Sequence, residues 1–105
     1  MATTIVTKNM QARIDLAGER ETPVIVLSAL AQDPEKSVRR AAAGNIKLTP
    51  VSLHLLGQDD EPTIRVQVAK NISTSAETIN LLMQDESALV RQAIISDENN
   101  PYLGN

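Results

Sequence analysis

The sequence contains no cysteine, tryptophan or phenylalanine, and Tyr102 is its one aromatic residue. Without cysteine, disulfides, thiolate metal sites and cysteine nucleophiles are excluded. Without large rings there is no platform on which bases could stack, and the core has to be built from aliphatic and alanine side chains, which suits closely packed helices. No apolar run approaches the roughly 18 residues of a membrane-spanning helix. Met1 to Arg13 mixes Thr, Lys, Asn and Gln without the apolar stretch of a signal peptide, so a cytoplasmic location is expected.

The net charge of -3 is unevenly shared. Met1 to Ser52 holds seven basic and five acidic residues, whereas Leu53 to Asn105 holds three basic and eight acidic. A chain of negative total charge repels a phosphate backbone unless its basic residues are concentrated in one place.

What the sequence does have is a period of 26 residues, the sign of a repeat architecture. Leu30, Leu56 and Leu82 fall in step, followed by Gln32, Gln58 and Gln84, and then by Asp33, Asp59 and Asp85. Val38, Ile64 and Val90 come next, each followed by an arginine: Arg39, Arg65 and Arg91. Ala42, Val68 and Ile94 lie four residues beyond the branched position, and Asn45, Asn71 and Asp97 mark the following turn. One period earlier, Ala12, Arg13, Leu16 and Ala17 occupy the places of Val38, Arg39, Ala42 and Ala43 in a weaker first unit.

Each unit has room for two helical segments. Asp33 as N-cap, Pro34 at the first helical position and Glu35 in the first turn predict a helix from Pro34 to Gly44, with Asn45 ending it in the left-handed conformation. Thr49 and Pro50 predict a second start, with Leu53 and Leu56 forming the buried stripe of a short helix that has room for 3₁₀ geometry. Leu27 with Leu30 and Ile79 with Leu82 repeat that stripe, and Thr74 with Glu77 has the spacing of a capping box. Ile64, Val66 and Val68 alternate like a strand, but Arg40 and Gln92 stand where Val66 does in neighbouring copies, which favours the helical register.

The string from Val68 to Arg91, VAKNISTSAETINLLMQDESALVR, resembles the leucine-rich repeat variant motif, and the resemblance extends over roughly residues 12 to 101. More widely the chain is similar to HEAT-like repeats, in which an aspartate and an arginine six residues later form a ladder between stacked units; Asp33 with Arg39, Asp59 with Arg65 and Asp85 with Arg91 have that spacing. The resemblance implies an all-α, right-handed α-solenoid of about four 26-residue repeats, each an α helix plus a short α or 3₁₀ helix. It also implies a tendency to bind partners. Some members of the variant family carry an iron-sulfur cluster on a cysteine-bearing N-terminal segment, and this chain has no cysteine to hold one.

Few side chains are candidates for chemistry. The arginine column could grip carboxylates or phosphates, but each arginine has an aspartate within the chain to satisfy it. His54 is the only histidine; its counterparts are Ser28 and Asn80, so its column reads as a polar surface position and not as a base or metal ligand. Asp59, Asp60 and Glu61 fit capping and helix-dipole complementation better than a calcium loop. Arg39, Arg40 and Lys47, with Arg13 and Arg20, form the one basic concentration. HEAT-like proteins include DNA glycosylases, but such enzymes need a base-accommodating pocket and extensive phosphate contacts.

The sequence therefore predicts a single helical-repeat domain over 1–105, with an N-terminal cap over 1–20, repeats over 21–46, 47–72 and 73–98, and a C-terminal cap over 99–105. Asp33, Arg39, Asp59, Arg65, Asp85 and Arg91 are expected to form a structural ladder, and Arg13, Arg40, Lys47 and His54 to be available to a partner. The expected function is non-enzymatic protein recognition by a small adaptor, regulator or inhibitor, without cofactor or metal. The alternatives are nucleic-acid binding through the basic residues and a fragment of a longer array. Pro101, Tyr102 and Leu103 are expected to fold back as a lid over the last apolar stripe, with self-association at that end as the alternative.

Overall fold

Seven helices and no strand make up residues 8–96, the part of the chain that the computed structural model describes. They are α1 (Met10–Gly18), α2 (Val24–Leu30), α3 (Lys36–Ala43), α4 (Pro50–Leu56), α5 (Pro62–Lys70), α6 (Ala76–Leu82) and α7 (Ala88–Ile95). The odd-numbered helices start at 10, 36, 62 and 88 and the even-numbered ones at 24, 50 and 76, so both series advance by 26 residues. The main contacts join α1 to α3, α3 to α5 and α5 to α7, and each short helix packs on the long helices before and after it. The molecule measures 48 × 23 × 18 Å.

The helical register prevails where the sequence was ambiguous. Ile64 and Val68 share one face of α5 and are fully buried, while Val66, on another face, is only half-buried. Leu27, Leu30, Leu53, Leu56, Ile79 and Leu82 from the short helices meet Val38, Ala42, Ile64, Val68, Val90 and Ile94 from the long ones in one continuous core. Complete burial of each such leucine or valine contributes about 1.5–3 kcal/mol.

Helix boundaries depart from the sequence reading in three places. The helix expected from Pro34 starts at Lys36, with Glu35 as its N-cap at φ -89° and ψ 123°. Asp33 does not cap it: its Oδ1 accepts the Glu35 N–H at 2.9 Å, closing a turn ahead of the helix. The second departure is at α6, capped by Ser75, whose hydroxyl accepts the Thr78 N–H; Thr74 instead donates its hydroxyl to the Val68 carbonyl at 2.7 Å, satisfying the end of α5. The third concerns the turn asparagines. Asn71 leaves α5 at φ -80° and ψ 125°, in extended and not left-handed conformation. The Thr49 cap with Pro50 behind it agrees with the sequence, and the short helices are α-helical, leaving no 3₁₀ segment there. The expected lid of Pro101, Tyr102 and Leu103 lies outside the described residues.

One column shows how tightly successive units approach. Ala17, Ala43 and Ala69 are at most 2% exposed, each lying beneath the unit that follows, whereas the same column in α7 holds Ile95, 62% exposed. A methyl group is what the joint accommodates. Ala43→Ile should therefore overpack the α3–α5 joint and lower stability by about 1–3 kcal/mol, while Ile95→Ala should change it by less than about 0.5 kcal/mol; chemical denaturation of the two variants checks both.

Candidate functional site

Two polar spines run through the stack, one at each end of the long helices. In the first, each arginine reaches forward to the next unit. Arg13 Nε donates to Asp33 Oδ2 at 2.7 Å and Nη2 to Oδ1 at 3.3 Å. Arg39 meets Asp59 in the same fork at 2.8 and 3.3 Å, and Arg65 meets Asp85 at 2.8 and 3.0 Å. The third donor points the other way: Nη1 of Arg39 takes the backbone carbonyl of Asp33 at 2.9 Å and Nη1 of Arg65 that of Asp59 at 2.7 Å. Arg91 Nη1 likewise takes the Asp85 carbonyl. Asp33, Arg39, Asp59, Arg65 and Asp85 thus take part in the ladder with Arg13, which was expected to be free for a partner. The carboxylate partner lies 20 residues ahead of each of Arg13, Arg39 and Arg65, the aspartate six residues behind Arg39 and Arg65 contributes its carbonyl to them, and among the described residues Arg91 meets the Asp85 carbonyl alone.

Arg65 and Asp85 are the most enclosed pair, their side chains each 8% exposed. Burial pushes the Asp85 carboxyl up, but the hydrogen bond from Arg65, the Ser87 N–H and the charges of Arg65 and Arg91 together outweigh it and hold the group below the usual carboxylate range. The hydrogen bond to Asp85 raises Arg65 above the ordinary arginine value against the opposing effect of burial.

The second spine was not foreseen in this role. Asn45, 4% exposed, donates its side-chain amide to the carbonyls of Ala17 and Glu19, both at 2.9 Å. Asn71 does the same to Ala43 and Asn45, at 2.8 and 3.0 Å. Each side-chain oxygen accepts an N–H two residues on, from Lys47 and Ser73 respectively. The column of asparagines is therefore explained by a planar amide with two donors and one acceptor in use, tying each turn to carbonyls left open at the end of the preceding long helix.

The residues expected to be free for a partner divide into two groups. Arg13 belongs to the ladder, with a side chain 12% exposed, and Arg39 is spent there as well, so the basic concentration reduces to Arg20, Arg40 and Lys47, which are exposed. Arg40 borders a shallow depression of about 420 Å3 between α1 and α3, with Ile14, Ala41 and Gly44. His54 is half-buried, contrary to the surface reading: its Nδ1 lies 2.7 Å from the Thr78 hydroxyl, so it links α4 to α6. Its neighbours in the column gave no sign of this, because the contact needs Thr78, which stands where Ser52 and Val26 do in the other units.

A surface that the sequence reading passed over lies along the short helices. Ile25 and Val51 occupy one column, 75% and 72% exposed, and Leu55 and Leu81 occupy the column four residues later, 58% and 57% exposed. On α4, Val51 and Leu55 are one turn apart and point away from the buried pair Leu53 and Leu56. The signal was present as a second apolar stripe on helices whose first stripe already sufficed for the core. Among the described residues no group of three or more His, Asp or Glu is placed to hold a metal ion.

Arg65→Ala should leave Asp85 half-satisfied in a buried position and lower stability by about 1–3 kcal/mol, and Asn71→Ala, which strips two carbonyls of their donor, should cost about the same; urea unfolding measures both. Because the folded-state value of Asp85 lies below its ordinary 3.8, its contribution is present above that value and is lost as pH falls through the lower one. Stability of Asp85→Asn should accordingly be lower than wild type at pH 7 and fall less steeply below about pH 4, as thermal melts across pH 2 to 7 would show.

No family model, no curated protein and no solved structure matches the chain.

Proposed function

We propose that the chain is a right-handed helical solenoid of four units, of the kind seen in leucine-rich repeat variant and HEAT-like proteins, that binds another protein and catalyses no reaction. The fold reading is supported by the 26-residue advance of both helix series and by contacts that run from each long helix to the next. Such a stack offers an extended surface in which one column of side chains repeats at every unit. The observation that carries the function is the aliphatic strip of Ile25, Val51, Leu55 and Leu81, all more than half exposed. Four large aliphatic side chains recur at corresponding positions of successive short helices, and exposed apolar side chains gathered on one face mark contact with other proteins. The partner has a complementary apolar face and meets the strip along α2, α4 and α6.

Nucleic-acid binding finds less support. Two of the five residues that suggested it are engaged with aspartates, and Arg65 is buried between Asp59 and Asp85 in an acidic stretch that also holds Asp60 and Glu86. The cytoplasmic location belongs to the same proposal; among the described residues no helix is long and apolar enough to cross a membrane.

Val51→Glu combined with Leu55→Glu should abolish capture of the partner from the native host's lysate while leaving the melting temperature within a few degrees of wild type, since neither side chain is in the core. Arg40→Glu with Lys47→Glu should leave capture intact. Equal capture by all three proteins, or retention of nucleic acid by wild type that disappears in the Arg40 and Lys47 variant, would overturn the reading.

A further inference from the structure

The outward side of the short helices is poor in charge, and the charge it has is at one end. Val24, Ile25, Ser28 and Ala29 of α2, with the residues 26 and 52 positions later in α4 and α6, are exposed or half-buried on one side of each helix, away from the buried leucine stripe. Those positions hold no lysine or arginine and a single carboxylate, Glu77. Glu77 stands in the column of Ile25 and Val51, so that column is aliphatic on α2 and α4 and acidic on α6, whereas the column four residues on reads Ala29, Leu55 and Leu81. Glu77 is exposed and has no ion-pair partner among the described residues.

We infer, resting on the reading of this strip as a protein-binding surface, that its occupant is an amphipathic α-helix of the partner, laid across α2, α4 and α6, with apolar residues every seventh position over α2 and α4 and a lysine or arginine over Glu77. The backbone decides the class of occupant. An extended segment brings an N–H and a C=O at every residue, and a face of aliphatic side chains on helices offers them few partners; a helix satisfies its own. A proline-rich segment also comes without internal bonds and docks in aromatic-lined grooves, and these three helices carry no aromatic residue. The spacing agrees with a helix. Successive units stack through long helices in contact, which sets them about 8–10 Å apart, and seven residues of an α-helix rise about 10 Å. One partner side chain per heptad therefore meets each short helix in turn, and the change from Ile25 and Val51 to Glu77 fixes which end of the partner helix is basic.

The probe is a synthetic three-heptad peptide on an alanine and glutamine background, titrated into the nitrogen-15-labelled full chain. It carries leucine at every d position and at two a positions, and lysine at the third a position. The expected result is saturable shifts of the Ile25, Val51, Leu55, Glu77 and Leu81 amides. Binding should weaken about threefold to tenfold when the peptide's lysine is replaced by glutamate or the chain carries Glu77→Lys, and should recover when the two reversals are combined. That recovery separates a contact from the effect of Glu77 on its own helix terminus. Absence of shifts, equal affinity for the lysine and glutamate peptides, or equal affinity for a peptide whose leucines are shuffled off one face would overturn the inference. So would movement of the same signals on concentrating the chain alone, which would make a second copy the occupant. If any of these results accompanies loss of lysate capture in the Val51→Glu, Leu55→Glu chain, the strip stands as a binding surface and only the helix is removed.

Discussion

The forward-reaching arginine is the interaction on which the rest of the structure depends, because it fixes how each long helix sits on the next. A helix of eight or nine residues is too short to be stable alone in water. Its persistence requires burial on both flanks, and burial requires that each long helix sit at a fixed height and angle on the next. The bidentate fork supplies that constraint: two parallel bonds to an aspartate of the next unit and one to a backbone carbonyl before its own helix make the guanidinium of Arg13, Arg39 and Arg65 a three-point connector. The aspartate is in turn fixed by the N–H two residues on, so the end of one turn and the start of the following helix move together.

The asparagine spine complements this at the opposite end of the long helices, and alanines at 17, 43 and 69 keep the space between narrow enough for both to close. Neither spine leaves a buried side-chain polar atom without a partner among the described residues. Buried polar networks stabilise when fully satisfied and destabilise when broken, so the two spines select one register of stacking over a slipped one. The core of aliphatic residues supplies the driving force.

The period, the helical register and the inner members of the ladder, Arg39, Asp59, Arg65 and Asp85, were legible in the sequence because each depends on residue type at a fixed spacing, whereas Arg13, in the weaker first unit, was not read as one of them. Val38, Ile64 and Val90, and the arginine after each, could be read column by column. The pairing was not legible: an aspartate lies six residues before Arg39 and Arg65 and another 20 after each, and only the three-dimensional advance of the helices decides between carboxylate and carbonyl. The start of α3 was misplaced for the same reason, since the attraction of Asp33 to Arg13 draws it from the capping role its local sequence suggests. Asn45 was noticed as a turn residue, but nothing local in the sequence reveals that its amide reaches carbonyls 28 and 26 residues earlier. The aliphatic strip escaped notice because burial was assigned to one stripe per short helix, and Leu55, beside the buried Leu53 and Leu56, looks like a further core residue until the helix is placed.

The most direct test of the account is a pair of double-mutant cycles on one arginine. The forward ladder predicts that Arg65→Ala and Asp85→Asn are coupled by about 1–3 kcal/mol, whereas Arg65→Ala and Asp59→Asn, whose contact through the Asp59 carbonyl survives the substitution, are coupled by less than about 0.5 kcal/mol. The reverse order of coupling, or equal coupling in the two cycles, would contradict it.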